Sequence, residues 1–257
     1  MGGRPFPAAE RQSLVNELAH LEHTLGTHGV HCTRVDELAV QPGEEPGLSQ
    51  NFPRDLMVVI GDTIVRLRPR CPSRKKEERS IDSIIESFKQ NGTRVIEMPP
   101  GPEMHLEGGD VLVDLPTVYV GVSHGTSLRA VEWLAAEFPE LNVVPIHLRS
   151  SMDGHLDCCL ALIGPKTLIA HLPALKNGLP NTLRDRDVIH VDARVKRELG
   201  TNVLMIDPQT AIVQKRHVSL QKELMGRGFT VIPLPFDTHA NSEGAFRCAT
   251  IPLHRSA

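Results

Sequence analysis

Residues 58–67 read VVIGDTIVRL, two short runs of apolar and β-branched residues on either side of a Gly-Asp turn, which is typical of a β-hairpin. The pattern recurs in DVLVDLPTVYVG from Asp110, CLALIGPKTLIAH from Cys159 and NVLMIDPQTAIVQK from Asn202. The copies follow one another at intervals of about 50 residues. A supersecondary unit that repeats at such a period predicts a repeat or propeller architecture.

Helical segments and further strands lie between the hairpins. The spacing of apolar residues and the closing Gly or Pro predict helices over 80–91, 126–138 and 218–227. Each is followed by one more predicted strand: TRVIEM (93–98), NVVPIHL (142–148) and FTVIPLPF (229–236). The order strand, strand, helix, strand predicts an α/β fold, most simply a mixed α/β propeller.

A fifth unit is predicted from the two ends of the sequence. We expect residues 13–26 to form its helix and HCTRV (31–35) its third strand, with ATIPLHR (249–255) completing it. Such closure would remove the exposed edges of the sheets. Residues 41–50 and 173–187 are rich in Pro, Gly or charge and are predicted to be loops.

Bulk composition favours one domain over residues 1–257, because 257 residues with 40% hydrophobic content can bury a full core. The net charge of -3 excludes little. The one dense basic run, residues 74–76, is followed at once by Glu77 and Glu78 and is interpreted as a helix start, so no nucleic-acid partner is expected. Without a signal-like segment or an apolar run of transmembrane length, we expect a cytoplasmic protein with no membrane contact.

Five cysteines form an odd set without C-x-x-C pairs, so a disulfide framework is not expected. Cys158 and Cys159 are interpreted as small buried hydrophobic residues inside a strand. Cys248 differs from them because it directly precedes the predicted last half unit.

Polar or reactive residues stand just ahead of each repeated unit: Asp55, Glu107, the pair His155 and Asp157, Asn202, and finally Cys248. Taken singly, each has an ordinary structural explanation, and for Asn202 a role at the start of a strand is at least as well supported as a catalytic one. Their shared position in the repeat changes this. If the units surround an axis, equivalent positions meet at one mouth.

The residue types in this set suit nucleophilic catalysis. A cysteine acts as a thiolate, a histidine nearby supplies a proton acceptor and a positive charge, and a carboxylate orients the histidine. Two carboxylates remain in excess of Cys248, His155 and Glu107, and their charge indicates a cationic, planar guanidinium as substrate. The H-x-D spacing at residues 155–157 would also suit metal ligands, but no second group at ligand spacing accompanies it, and no metal is expected.

Four motifs together resemble the guanidino-group-modifying enzymes, which include arginine deiminases, dimethylarginine dimethylaminohydrolases and glycine amidinotransferases. They are NFPRD (51–55), EGGD (107–110), HLD (155–157) and HANSEGAFRC (239–248). The resemblance runs over about residues 51–255 in the family's order. It implies the five-unit, pseudo-fivefold pentein propeller.

The resemblance also implies roles for the residues. Cys248 would attack the guanidinium carbon, His155 would protonate the departing amine and later activate water, and Glu107 would orient His155. Asp55 and Asp157 would hold the guanidinium nitrogens. Further candidates for substrate binding are Arg74, Arg54, Asp110 and Asn202. No cofactor is required, and a homodimer is common among the relatives.

Subfamily features are mixed. The HLD motif resembles deiminases and amidinotransferases, whereas the dimethylarginine hydrolases usually carry Lys at the position of Asp157. Residues 71–77 and 94–113 resemble those same hydrolases, and residues 201–248 resemble amidinotransferases. Gly125 stands where arginine-processing relatives carry an Arg for the substrate carboxylate, so either Arg74 or Arg129 compensates or the substrate ends differently. Arg247, next to Cys248, is a further candidate for contact with the substrate tail.

Three hypotheses follow. The leading one is a cysteine-dependent hydrolase that cleaves a guanidino carbon–nitrogen bond through a covalent S-amidino intermediate. The second is an amidinotransferase, in which an acceptor amine replaces water. The third is a pentein that only binds, as the ribosome anti-association factor does.

Overall fold

The computed structural model describes residues 7–39 and 49–255. Within them the chain divides into two compact units. The first unit comprises residues 7–34, 160–171 and 185–247, and the second comprises 35–39, 49–159, 172–184 and 248–255. The prediction of one domain over 1–257 remains a prediction, and the predicted loop over 41–50 lies almost wholly outside the described residues.

The described residues form four sheets of three strands each, two in each unit. The strands are β1 Met57–Ile60, β2 Thr63–Arg66, β3 Arg94–Glu97, β4 Val111–Asp114, β5 Thr117–Val122, β6 Asn142–His147, β7 Leu160–Ile163, β8 Thr167–Ala170, β9 Asp187–His190, β10 Leu204–Met205, β11 Thr210–Gln214 and β12 Thr230–Leu234. The α-helices are α1 Ala8–Thr27, α2 Pro72–Lys75, α3 Asp82–Gln90, α4 Leu128–Glu137, α5 Ala193–Arg197, α6 Val218–Gly226 and α7 Asp237–Asn241.

Each sheet has the same topology. Its first two strands form an antiparallel hairpin, and its third strand pairs in parallel with the second, as Val58↔Val65 and Val65↔Ile96 illustrate in the first sheet. A parallel neighbour requires a crossover connection, which α3, α4 and α6 supply in three of the sheets. The predicted α/β fold of repeated strand, strand, helix, strand units is confirmed, and the arrangement of five units about one axis stays a prediction.

The helix ends follow the predicted stop signals. Gly92 and Gly228, just beyond α3 and α6, adopt φ values of +81° and +87°, a left-handed conformation that glycine enters without strain. At the other end of a helix, Ser127 caps α4 by accepting a hydrogen bond from the backbone N–H of Ala130.

Apolar faces of the hairpins and helices form the cores. In the second unit, Val65 and Val120 from the two central strands pack with Leu134 of α4, all fully buried. In the first unit, Ile169 and Val213 from the central strands share a core with Leu224 of α6. These cores hold the sheets against their crossover helices and so fix where each hairpin begins.

The prediction for the fifth unit is correct for its helix and wrong for its strands. The predicted helix over 13–26 lies within α1, whereas neither 31–35 nor 249–255 forms a strand. Val35, Ile251 and Leu253 instead pack as side chains against the cluster that contains Leu56 and Met57. Pro252 has no backbone N–H to give to a ladder, which weakens strand pairing there.

Two further elements differ from the prediction. Residues 173–187 form mostly turns, as expected, but Asp187 already begins β9, a strand too short and too charged at its ends to stand out in the sequence. Cys158 lies in a 3-10 turn, Leu156–Cys158, and β7 begins only at Leu160, so the placement of both cysteines inside a strand is wrong.

Candidate active site

Three of the four hairpins are preceded by a short 3-10 turn that carries a predicted site residue. The turns are Pro53–Leu56 ahead of β1, Gly108–Asp110 ahead of β4 and Leu156–Cys158 ahead of β7. Asp55 lies within the first, while Glu107 and His155 are the residues that enter the second and third. All three turns belong to the second unit, as does Cys248.

Glu107 and His155 form the central contact of the site. His155 Nε2 lies 2.5 Å from Glu107 Oε2, and the other Glu107 oxygen accepts a hydrogen bond of 3.0 Å from the backbone N–H of Arg70. On the other side of the ring, His155 Nδ1 lies 3.7 Å from Asp55 Oδ1. The imidazole therefore lies between two carboxylates, one on each nitrogen.

Asp55 is fixed by its own partners. Its Oδ1 accepts a hydrogen bond of 2.9 Å from Gly109 N, and its Oδ2 lies 2.5 Å from Arg74 Nη1. Only 4% of the residue surface is exposed. A buried carboxylate with an arginine and a backbone donor stays ionised, and it keeps its orientation.

The charges shift the pKa values of this cluster in opposite directions. Burial by itself would lower the pKa of His155, but the carboxylates of Asp55, Glu107 and Asp110 outweigh it and hold that pKa well above its usual value. Burial likewise would raise the pKa of Asp55, and the charges of His155 and Arg74 instead lower it. The cluster is therefore an imidazolium beside an ionised aspartate at neutral pH.

Asp110 joins the second and third turns. Its Oδ1 accepts a hydrogen bond of 2.8 Å from Leu156 N, and its Oδ2 accepts one of 2.5 Å from Ser123 Oγ. Burial raises the pKa of Asp110 to about 6, against the opposing charge of His155. These contacts connect Asp110, which was predicted to bind substrate, to the turn that follows His155. Asp110 therefore supports the position of His155.

Glycines make the close approach of the turns possible. A Cβ on Gly109 would lie 2.5 Å from His155 Nδ1, and a Cβ on Gly125 would overlap Glu107 Oε2 and lie 3.2 Å from His155 Nε2. Separations under 3 Å force something to shift, and at Gly125 the Glu107–His155 pair itself would have to move. With Glu107 and His155 in these positions, there is no room for a side chain at residue 125.

The two predicted arginines are both engaged inside the second unit. Arg74 donates to Asp55, to Glu77 Oε2 at 3.0 Å and to Phe52 O at 2.8 Å. Its guanidinium thus lies on the carboxylate predicted to receive a substrate guanidinium. Arg54 is 4% exposed, and its backbone N–H donates to Cys248 O at 3.2 Å, which connects the Asp55 turn to the predicted nucleophile.

Cys158 follows Asp157 in the chain and interacts with it. Its interaction with Cys248, its burial and the charge of Asp157 raise the pKa of the Cys158 thiol well above the usual value, and Cys158 Sγ donates to Asp157 Oδ1 at 3.6 Å. Cys248 and Cys158 are each 6% exposed, and Asp157 is fully buried. Cys158 thus interacts with two predicted site residues, Cys248 and Asp157.

Asn202 belongs to the first unit and has a backbone partner. Its Oδ1 accepts a hydrogen bond of 2.8 Å from the backbone N–H of Arg247, the residue before Cys248 in the chain. This contact matches the structural alternative for Asn202.

Arg70 and His124 are neighbours of the site that the sequence did not reveal. Arg70 Nη1 donates to His124 O at 2.9 Å and also lies 2.9 Å from His124 Nδ1. His124 adjoins Gly125, so the exposed guanidinium of Arg70 lies beside the Glu107–His155 pair. Arg70 falls in an irregular stretch after β2 without a motif, and only the folded chain places it there.

A metal ion could in principle be held by the same cluster. One ligand atom each from Asp55, Glu107 and His155 lie within 4.8 Å of one another. Metal binding would require the neutral imidazole, whereas the raised pKa of His155 favours the protonated ring. The donor set therefore suits proton transfer better than metal binding.

Comparison with known proteins agrees with this fold. The family model of eukaryotic N,N dimethylarginine dimethylhydrolase matches residues 9–255. The chain belongs to this family, and with it to the pentein superfamily of guanidino-group-modifying enzymes.

Individual relatives point to more than one activity. The chain is 31% identical over 238 residues to the uncharacterized protein YkgA of Bacillus subtilis, covering 92% of this chain and 79% of that protein. It is 29% identical over 252 residues to an arginine deiminase of Listeria welshimeri, covering 79% of this chain and 61% of that protein. The structure of SxtG, an amidinotransferase of Microseira wollei, superposes with a TM-score of 0.88 at 22% identity, covering 99% of this chain and 87% of that one.

Proposed function

We propose that this protein is a cysteine-dependent hydrolase that cleaves a guanidino carbon–nitrogen bond of an arginine-like compound. The observation that carries the proposal is the position of His155 between Glu107 and Asp55, with its pKa raised well above the usual value. A protonated imidazole is the general acid that the departure of an amine requires.

The reaction would proceed in two halves. Cys248 Sγ attacks the guanidinium carbon, a carbon–sulfur bond forms, and the carbon–nitrogen bond breaks as the leaving nitrogen takes the proton of His155. The neutral His155 then removes a proton from water. The resulting hydroxide attacks the S-amidino carbon, the carbon–sulfur bond breaks, and the thiolate and the protonated imidazole are restored.

Asp55 and Asp157 would hold the guanidinium nitrogens during this sequence. Asp55 already holds one guanidinium, that of Arg74, on Oδ2, and a carboxylate has lone pairs for more than one donor. Glu107 would orient His155 and stabilise its charge. The buried, negatively charged surroundings favour a cationic substrate over a neutral one.

Arg70 supports a substrate with an anionic tail. Its exposed guanidinium donates to His124 O, next to Gly125. Gly125 adjoins the Glu107–His155 pair and has no side chain to fill the space there. Arg74 is engaged with Asp55, Glu77 and Phe52 and is poorly placed for that role. An arginine at one end and carboxylates at the other match the charges of an α-amino acid that carries a guanidino group.

An amidinotransferase is the second candidate. The match of SxtG over nearly the whole chain favours it, and so does a sequence identity of 21% over 296 residues with an L-arginine:L-lysine amidinotransferase of Pseudomonas savastanoi. Both reactions share the S-amidino intermediate. They differ only in whether water or an acceptor amine resolves it.

Turnover of arginine, N,N-dimethylarginine, agmatine and guanidinoacetate tests the proposal, with intact-protein mass spectrometry to detect the adduct. We expect one of these to give a ureido product and a free amine or ammonia, with both product and adduct lost in Cys248→Ala. Cys159→Ala is the matched control, because it removes a buried thiol that is hydrogen-bonded to Asp153 O. It should keep turnover. Product formation by Cys248→Ala would overturn the thiol mechanism, and an adduct that persists until an amine is added would establish the transferase.

A pair of substrates tests Arg70. Arginine and agmatine differ by the carboxylate, so Arg70→Gln should lower kcat/KM for arginine about ten- to a hundredfold more than for agmatine, as expected for loss of a charged hydrogen bond. Arg11→Gln removes the same charge from an exposed position of α1 and should lower neither. An equal loss with both substrates would show that Arg70 only supports the loop at His124.

A further inference from the structure

The carboxylate of Glu77 is fully buried in the second unit and has no part in the proposed mechanism. Its Oε2 accepts a hydrogen bond of 3.0 Å from Arg74 Nε, and its Oε1 accepts one of 2.9 Å from Ser49 N. Arg74 Nη1 lies 2.5 Å from Asp55 Oδ2, so Glu77 contacts the arginine that pairs with Asp55. Because desolvation offsets most of the attraction in a buried ion pair, stability alone is a weak reason for this carboxylate.

We propose that Glu77 is a positioning residue of the active site, which holds the guanidinium of Arg74 on Asp55 and so keeps the Asp55 carboxylate in its substrate-binding orientation. The inference rests on the proposed function in that Asp55 binds a substrate guanidinium. Glu77 itself contacts neither the substrate nor the reacting atoms and acts through Arg74.

The guanidinium of Arg74 has a partner on each of its three nitrogens. Nε donates to Glu77, Nη1 donates to Asp55, and Nη2 donates to Phe52 O at 2.8 Å. A guanidinium is planar and rigid, so a fixed Nε sets the direction in which both Nη groups point. Loss of the Glu77 contact would let this plane turn and would move Nη1 relative to Asp55 Oδ2.

Glu77 also holds the backbone ahead of Asp55. Ser49 N donates to Glu77, and Phe52 N donates to Ser49 O at 2.8 Å. The 3-10 turn that carries Asp55 begins at the residue after Phe52. The short segment before that turn is therefore tied to Glu77 at its start and to Arg74 at its end.

The spacing of Arg74 and Glu77 explains their contact and supplies a control. They are three residues apart where α2 continues into a 3-10 turn, and side chains at this spacing lie on one face of such a helix. Glu78 is the next residue and is partly buried, and the positive charges that act on it include those of Arg68 and Arg66. Glu78→Gln therefore removes the same charge one residue along the same turn.

Carbon NMR of the Asp55 carboxyl group tests the position of Arg74 without an assay of turnover. Burial would raise the pKa of Asp55, and the charges of His155 and Arg74 instead lower it. If Glu77→Gln displaces Arg74, the pKa of Asp55 rises. If it only removes a nearby negative charge, the pKa of Asp55 falls. We expect a rise in Glu77→Gln and no change in Glu78→Gln, and a fall or no change in Glu77→Gln would overturn the proposal.

Double-mutant kinetics tests whether Glu77 acts through Arg74. We expect Glu77→Gln to lower kcat/KM about tenfold in the wild-type background and less than about threefold when Arg74→Gln is already present. Glu78→Gln should keep kcat/KM in both backgrounds. An equal loss from Glu77→Gln in the two backgrounds would contradict the proposal.

Two further arrangements keep the test decisive. If circular dichroism shows that Glu77→Gln does not fold, Glu77→Asp replaces it, because aspartate keeps the charge but is one methylene too short to reach Arg74 and Ser49 together. The same rise in the pKa of Asp55 is then expected. If wild type turns over none of the four guanidino compounds, the proposed function fails, and the titration of Asp55 still decides the role of Glu77.

Discussion

Two histidine–glutamate pairs in the described part of the protein have similar short contacts but opposite shifts of the histidine pKa. In the second unit, His155 Nε2 lies 2.5 Å from Glu107 Oε2, and the pKa of His155 is raised. In the first unit, His239 Nδ1 lies 2.7 Å from Glu17 Oε2, and burial lowers the pKa of His239 despite the glutamate. A short contact to a carboxylate therefore does not by itself decide whether a histidine is charged.

The number of carboxylates that face the ring makes the difference. His155 feels Asp55, Glu107 and Asp110 together, which outweigh the cost of burying its charge. For His239 the carboxylate of Glu17 raises the pKa, but it also accepts hydrogen bonds of 2.9 and 3.0 Å from the backbone N–H groups of Thr238 and His239. Glu17 therefore stabilises the first turn of α7, and less of its charge is left to favour protonation of His239.

The two pairs consequently suit two tasks. A ring kept protonated near neutral pH can deliver a proton, as His155 is proposed to do. A ring that prefers to be neutral, stacked at 4.2 Å on Phe236, can join α1 to α7 without a buried positive charge. Protonation state separates a catalytic histidine from a structural one more clearly than distance does.

The largest expected effect comes from breaking the first pair while leaving the second intact. Glu107→Gln keeps the size of the side chain but removes the charge that supports His155, and we expect kcat to fall by about 10²–10⁴-fold. Glu17→Gln, the same change in the other pair, should leave kcat within about threefold of wild type, because Glu17 contacts α7 and not His155. Steady-state assays of both variants check this, and equal losses would show that the pairs do not differ in function.

A smaller loss of activity is expected when Glu107 and His155 are displaced but both side chains are kept. Gly125→Ala places a methyl group against Glu107 Oε2 and His155 Nε2, so we expect at least about a tenfold loss of kcat/KM. Gly26→Ala adds the same methyl group to α1, where nothing lies within 4 Å, and should preserve activity and stabilise the helix by about 0.5–1 kcal/mol. Full activity in Gly125→Ala would mean that the pair can move without cost.

Titration sharpens the comparison. From the usual value of 6.5, the pKa of His155 is raised and that of His239 is lowered. Above pH 6.5, the stability that His155 contributes is lost as pH rises through its folded-state pKa, and the acid form needed for catalysis is lost with it. The contribution of His239 is present above pH 6.5 and is lost as pH falls through its own folded-state pKa. Imidazole NMR signals, assigned with His155→Gln and His239→Gln, should show a charged His155 and a neutral His239 at pH 7.

The smallest effect concerns stability alone. Glu17→Gln weakens the contacts to Thr238 and His239, and we expect the free energy of unfolding in urea to fall by about 1–3 kcal/mol. Glu10→Gln, on the same helix and only partly buried, should change it by less than about 0.5 kcal/mol. An unchanged midpoint for Glu17→Gln would show that α1 is not held to α7 through this carboxylate.

Much of the fold followed from local patterns. The turns at Gly61, Leu115, Gly164 and Asp207 connect antiparallel strands as predicted, because apolar runs and turn residues act over a few positions. Short elements at the ends of the pattern did not follow. The strands expected over 31–35 and 249–255 are replaced by side-chain packing of Val35 and Ile251, a contact between distant parts of the chain that no local signal reports.

The sequence predicted which residues form the candidate site better than it predicted the contacts between them. Position ahead of each hairpin selected Asp55, Glu107 and His155, and the structure brings these three together. The same logic placed Asn202 with the substrate-binding residues, whereas its side chain holds Arg247 N. Arg70 was missed because its place beside His124 depends on two loops that are 54 residues apart.

The sequence by itself determined the repeated hairpins, the crossover helices and the chemical types gathered ahead of them, because these depend on side-chain periodicity and on turn residues that act locally. It did not determine which histidine would be charged, that Arg74 would lie on Asp55, or that Arg70 would lie beside His124. Those outcomes depend on burial and on distances between groups far apart in the chain. Electrostatic free energy varies with both, so only the tertiary structure decides them.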